Sequence, residues 1–180
     1  MKLIQQGQIL LRYKHIVCLL IVIILCNNSP AQNNAESNLL NKNSTYLEIG
    51  GNGLWYSFNY DRILRRKDRT ALSARVGFAY FGNFSDTSTI TAPLTISFLY
   101  GKNKNFLELG GGPTTLYSFS EKITGIAAIG IIGFRHQPIK SKGLMYRIAF
   151  NPFIVEYSSD TGDWNSVIIP WGGISFGFVF

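Results

Sequence analysis

The chain is poor in the residues that carry redox and metal chemistry. Its 180 residues include two cysteines, Cys18 and Cys26, and two histidines, of which only His136 lies beyond residue 31. No group of His, Cys or paired carboxylates has metal-ligand spacing, and no glycine-rich phosphate loop connects a strand to a helix. We therefore expect no metal, no cofactor and no catalytic site, and we classify the chain as a non-enzyme.

Long apolar runs are also missing. Ile16–Cys26 spans 11 residues, whereas a membrane-spanning helix needs about 20. Basic residues precede this run, and small residues follow at Ser29 and Ala31, which is typical of a cleaved signal peptide. We predict a signal peptide over residues 1–31. A lipoprotein anchored at Cys26 is the alternative, but a leucine precedes this cysteine where a lipobox has a small residue.

Cleavage changes the bulk properties of the chain. Three of its 17 basic residues and both cysteines leave with the signal peptide, so the net charge falls from +7 to +4. The lower charge weakens any nucleic-acid-binding interpretation of the high isoelectric point. Disulfides are excluded from the mature chain, and its length is that of one domain.

Alternation of apolar and polar residues dominates the rest of the chain after a polar lead-in at 32–44. In the last segment Ile174, Phe176, Phe178 and Phe180 share one face, and small residues share the other. Helix-period patterning is absent, which predicts an all-β fold: an antiparallel up-and-down barrel over 45–180. The predicted strands are 45–61, 70–81, 90–100, 105–117, 124–136, 143–155 and 166–180.

The charged residues of these strands indicate which face points inward. They are Glu48, Arg75, Glu108, Arg135 and Arg147, and they lie opposite the longer apolar rows wherever a row is clear. A soluble lipocalin-like barrel would have the opposite polarity, so the pattern favours a transmembrane barrel with lipid outside. We predict that Glu48, Arg75, Glu108 and Arg147 form an ion-paired structural cluster in the lumen.

Closure of the barrel requires one strand more than the seven predicted. Seven antiparallel strands cannot close without a parallel pair, and bacterial barrels of this kind have even numbers. Gly50–Gly53 contains an Asn-Gly pair, the strongest short hairpin signal, which would split 45–61 in two. A β-bulge would explain the same change of apolar phase. We predict about eight strands and leave the source of the eighth open.

Three alternate connections are basic. They lie at Arg62–Arg69, Gly101–Asn105 and Pro138–Gly143, and in an up-and-down barrel they share one rim. We place this rim in the periplasm. It could contact anionic phospholipid, although solvated turns at a membrane interface are the simpler interpretation.

Several segments resemble the small outer-membrane β-barrel proteins of Bacteroidota, a largely uncharacterised family. The similar segments are Tyr46–Gly53, Tyr56–Arg62, Leu72–Gly77, Leu107–Gly110 and Pro170–Ser175. The resemblance implies a location and a fold, but supplies no catalytic residues. The terminal aromatic strand also looks like the signal that delivers barrels to the outer membrane. Its residues would be Ile174, Phe176, Phe178 and Phe180.

The expected function is therefore that of a monomeric barrel in a bacterial outer membrane, with a structural or envelope-maintenance role. Its expected partners are outer-membrane lipids and, during biogenesis, the barrel-assembly machinery. Two alternatives remain. One is a lipid-active outer-membrane enzyme using His136, and the other is a soluble lipocalin-like barrel that binds a ligand.

Overall fold

The computed structural model describes residues 41–82, 88–158 and 164–180, with the side chains of 155–158 and 164–165 excepted. The predicted signal peptide and most of the predicted lead-in lie outside the described residues. Among the described residues, no helix is long and apolar enough to cross a membrane.

Ten antiparallel strands form one sheet. They are β1 (Asn43–Gly50), β2 (Tyr56–Lys67), β3 (Thr70–Gly82), β4 (Ser88–Lys102), β5 (Asn105–Ser118), β6 (Ile123–His136), β7 (Gly143–Phe150), β8 (Phe153–Ser158), β9 (Trp164–Ile169) and β10 (Gly172–Val179).

The sheet closes on itself as an eight-stranded barrel. Neighbours in sequence pair with each other from β1 to β7, and β1 pairs with β10. β7 and β8 are two parts of one wall strand, since β6 pairs with both. β9 and β10 are likewise separated only by Pro170 and Trp171. The predicted all-β antiparallel barrel of eight strands is confirmed.

The eighth strand comes from the Asn-Gly hairpin. A short 3-10 turn, Gly51–Gly53, separates β1 from β2 within the predicted strand 45–61. Gly50 and Gly51 have φ angles of 73° and 66°, a left-handed conformation that glycine adopts without a steric penalty. The β-bulge alternative is wrong at this position, although a register shift does occur between Ile63 and Arg65.

Most predicted strand boundaries move by one or two residues, and the predicted strands 143–155 and 166–180 are each divided, into β7 and β8 and into β9 and β10. β1 begins at Asn43, two residues inside the predicted lead-in. The connection predicted at Arg62–Arg69 is mostly strand, because β2 continues to Lys67, which pairs with Thr70. The sequence predicts a connection for these charged residues because they lie between the alternating segments 45–61 and 70–81. Here they lie where β2 and β3 extend past the start of β1.

Inner and outer faces alternate as predicted. In β3, Ser73, Arg75 and Ala79 are buried, whereas Leu72, Val76, Phe78 and Tyr80 are exposed. In β10, Ser175 is buried and Ile174, Phe176 and Phe178 of the predicted row are exposed, as is Phe180, which follows the strand.

The two ends of the barrel differ. One end carries the turns Asp68–Arg69 and Asn103–Lys104 and the loop 137–142. The first and last described residues of the chain lie at the same end. We call this the basic end. The opposite end carries the β1–β2 turn and the β5–β6 connection.

Candidate functional site

The centre of the lumen holds an ion-paired cluster. Arg75 Nη1 lies 3.4 Å from Glu48 Oε1, and Arg147 Nη1 lies 3.4 Å from Glu108 Oε1. Arg147 Nη2 contacts Glu48 Oε1 as well, so Arg147 bridges the two glutamates. All four side chains are buried. The structure thus brings together the four residues that the sequence predicted as a lumen cluster.

Neighbouring side chains fix the two arginines in place. Arg75 donates from Nη1 to the Tyr46 hydroxyl at 3.1 Å and from Nε to Thr95 Oγ1 at 2.8 Å. The guanidinium of Arg147 lies 5.4 Å from the centroid of the Tyr46 ring, within reach of a cation–π interaction. Tyr46 therefore links both cations of the cluster.

A second buried ion pair was missed by sequence reasoning. Arg135 donates to both carboxylate oxygens of Asp61, at 2.7 and 3.0 Å. The alternating pattern identifies Arg135 as a charged strand residue, whereas Asp61, the last residue of the predicted strand 45–61, is not among the charged residues assigned to the lumen. The available signal was alternation, since Ser57 and Asn59 precede Asp61 on the same buried face. The four-residue cluster and the Asp61–Arg135 pair together give the described part of the lumen three arginines and three carboxylates.

The β1–β2 turn folds into the barrel and blocks it above the central cluster. Gly51–Gly53, which we call the in-folded turn, is buried throughout. The amide of Asn52 donates to Glu48 Oε2 at 3.3 Å, and Thr114 Oγ1 donates to the Asn52 carbonyl at 3.0 Å. Asn151 Nδ2 donates to Asn52 Oδ1 at 2.6 Å. The polar Asn-Gly turn thus satisfies polar groups of the lumen.

An apolar cluster fills the lumen at the basic end. We call it the basal plug, and its members are Ile63, Ala71, Leu99, Phe106 and Ile139. Ile139 comes from the loop 137–142, which turns inward. The amide of Gln137 donates to the Lys104 carbonyl at 2.7 Å, and the Ile139 carbonyl accepts from Asn41 at 2.9 Å. The lumen is therefore obstructed at two levels, by polar backbone above and by apolar side chains below.

His136 ends β6 at the basic end. Its Nδ1 lies 2.7 Å from Asn105 Oδ1, and its ring stacks on Tyr146 with centroids 4.6 Å apart. In the described part of the chain, no group of three or more His, Cys, Asp or Glu residues is placed to hold a metal ion.

No protein-family model, curated protein or solved structure matches the chain. The resemblance to Bacteroidota barrels therefore stays an expectation.

Proposed function

We propose that this chain is an integral outer-membrane β-barrel of a Gram-negative bacterium, with a structural or envelope-maintenance role. The observation that carries the proposal is the polarity of the barrel: its exposed rows are apolar, and its buried interior is charged.

The outer face has the composition expected of a lipid-facing surface. Ile96, Leu109, Ile148 and Phe176 are 52%, 61%, 61% and 64% exposed. Among the described residues of β4 between Ile90 and Tyr100, none is charged. An apolar patch that covers a whole barrel wall is rare on a soluble monomer. A lipocalin-like barrel would place these rows inside, so the soluble alternative explains the surface poorly.

The height of the apolar band also suits a bilayer. Exposed tyrosines lie near both limits of the band: Tyr80, which pairs with Ile90, at one end, and Tyr100 at the other. Ile90 and Tyr100 are ten residues apart in β4, which is about 33 Å along a strand. A tilt of about 40° reduces this to about 25 Å, the height of the apolar band in outer-membrane barrels, which aromatic girdles flank.

The closed lumen supports a non-catalytic, non-conducting role. The in-folded turn and the basal plug obstruct it, and its arginines are paired with carboxylates. Eight-stranded barrels have interiors that side chains fill. We infer a monomer whose partners are membrane lipids and, during insertion, the barrel-assembly machinery acting on the exposed aromatic row of β10.

Fractionation and heat-modifiability test this proposal together. We expect recovery in the outer-membrane fraction, and a mobility difference between boiled and unboiled samples on a gel. Recovery as a periplasmic protein without a boiling-dependent shift would contradict the membrane assignment and favour a soluble ligand-binding barrel.

A lipid-active enzyme is the alternative, and it depends on His136. The variant His136→Ala in an assay of lipid A acylation separates the two, because only the enzyme predicts a loss of activity. A cellular lipid A acylation pattern that is the same with the wild type, with the variant and without the protein, together with normal outer-membrane recovery of the variant, supports the non-catalytic role.

A further inference from the structure

A pocket opens at the basic end, between the three connections that meet there. Its volume is about 440 Å³, and four basic residues line it: Arg66, Lys102, Lys104 and Lys140. This volume lies within the range of small-molecule sites. The cations come from β2, from the end of β4 and the turn that follows it, and from the loop 137–142, so the fold collects them from separate parts of the sequence.

The positive charge of the pocket is not neutralised. No carboxylate is among the described residues that line it. Each of the three buried lumen arginines has a carboxylate partner, but none of these four cations forms an ion pair with any described residue. Clustered cations without counter-charges create a local positive potential that attracts anions.

Contacts with neighbouring side chains position part of the pocket lining. The Arg66 guanidinium lies 5.7 Å from the centroid of the Phe106 ring, a residue of the basal plug. On another side His136 is held between Asn105 and Tyr146. A pre-positioned guanidinium loses less conformational entropy on binding than a free side chain.

We propose that this pocket binds a phosphate-bearing anion of glycerophosphate size. Arginine and lysine form their strongest hydrogen bonds with phosphate and carboxylate oxygens, and phosphate offers enough oxygens to meet several cations at once. The phosphate could belong to a phospholipid headgroup or to a free solute. Binding of a phosphate-bearing anion does not depend on the proposed membrane location. Only the identification of that anion as a lipid headgroup rests on the proposed function.

The test uses purified protein folded in a neutral detergent. Binding of phosphatidylglycerol and phosphatidylcholine is followed by native mass spectrometry, and binding of glycerol 3-phosphate and inorganic phosphate by calorimetry. The pocket variant is Lys102→Gln/Lys104→Gln/Lys140→Gln. The matched control, Arg65→Gln/Lys67→Gln/Arg69→Gln, removes the same charge from the same end outside the pocket lining. Heat-modifiability shows that both variants are folded.

We expect the wild type to prefer phosphatidylglycerol over phosphatidylcholine. The pocket variant should weaken anion binding about tenfold or more, because several charge-assisted contacts are lost, and the control should weaken it less than about threefold. Binding of phosphatidylglycerol alone supports a lipid headgroup, and binding of glycerol 3-phosphate as well supports a free anion. Equal weakening in the two variants, or no binding of any of the anionic probes, would overturn the proposal.

Discussion

Asn151 donates a 2.6 Å hydrogen bond from its side-chain amide to the side-chain oxygen of Asn52, and both residues are buried. This contact joins the tip of the in-folded turn to the wall between β7 and β8. It closes the lumen with a pair of uncharged groups that lie 99 residues apart in sequence.

Removal of this contact should destabilise the barrel. The variants Asn52→Ala and Asn151→Ala should each lower the free energy of unfolding by about 1–3 kcal/mol, because a buried polar partner is left unsatisfied. The measurement is urea unfolding in lipid vesicles. The loss of unfolding free energy in the double variant should differ from the sum of the two single-variant losses by about 0.5–3 kcal/mol, as for residues in contact. Strict additivity would show that the contact is not made.

Breaking the Asp61–Arg135 pair should cost more. Asp61→Asn leaves the Arg135 guanidinium buried without its counter-charge, so we expect a loss of about 3–5 kcal/mol in the free energy of unfolding. Asp68→Asn is the matched control, since it removes the same charge from an exposed turn, and it should change stability by less than about 0.5 kcal/mol. Similar losses for both would mean that net charge, rather than the pair, sets stability.

An arginine introduced on the outer wall tests whether this wall contacts lipid or water. Ile96 lies within the apolar band of β4 and is 52% exposed. In a bilayer Ile96→Arg should destabilise the barrel by about 2–4 kcal/mol, whereas Leu64→Arg at the basic end should cost about 0–1 kcal/mol. Unfolding in vesicles gives both values. If Ile96→Arg is neutral, this face does not contact lipid.

Ile139 should anchor the loop that closes the basic end. Ile139→Ala removes a buried side chain from the basal plug, and we expect a loss of about 2–4 kcal/mol. Faster hydrogen exchange at the amides of Asn41 and Gln137 should accompany it, since the Asn41 amide donates to the Ile139 carbonyl and the Gln137 amide donates from the loop to the Lys104 carbonyl. Lys142→Ala, exposed in the same loop, should leave both measurements unchanged.

A substitution at Phe180 should affect assembly in cells without affecting the stability of the folded barrel. Its ring is 45% exposed, while its backbone exchanges two hydrogen bonds with Asn43. If the aromatic row of β10 is an assembly signal, Phe180→Ala should lower outer-membrane recovery in cells and shift the unfolding free energy of refolded protein by less than about 1 kcal/mol. Phe119→Ala, exposed at the opposite end, is the control. Equal recovery of the two variants would argue against a signal at Phe180.

The sequence was informative where side chains alternate. The period of two predicts the strands and their inner faces, and this is sufficient to assign Glu48, Arg75, Glu108 and Arg147 to one cluster in the lumen. The Asn-Gly pair gave one possible position for the eighth strand, and the structure selected it.

Other features lacked a local signal. Asn52 and Gln137 are polar residues in connections, and such residues usually face water, so nothing in their neighbourhood predicts that they are buried. The burial of Asn52 depends on a partner far away in sequence, Asn151. The break between β7 and β8, in contrast, has a local signal in Pro152, because proline has no backbone N–H to donate to the ladder. Phe150 and Ile154 stay exposed on the outer face on either side of it.

The wall closes where the first described strand meets the last, with Ser44 opposite Val179 and Gly50 opposite Gly173. Every other seam joins segments much closer in sequence. A partly synthesised chain could form hairpins from β1 to β6, but it would keep two free edges until β10 arrives. Unpaired strand edges promote aggregation in water. In hydrocarbon, their backbone N–H and C=O groups have no hydrogen-bond partner. The chain therefore depends on some means of shielding two unpaired strands until its final segment is in place.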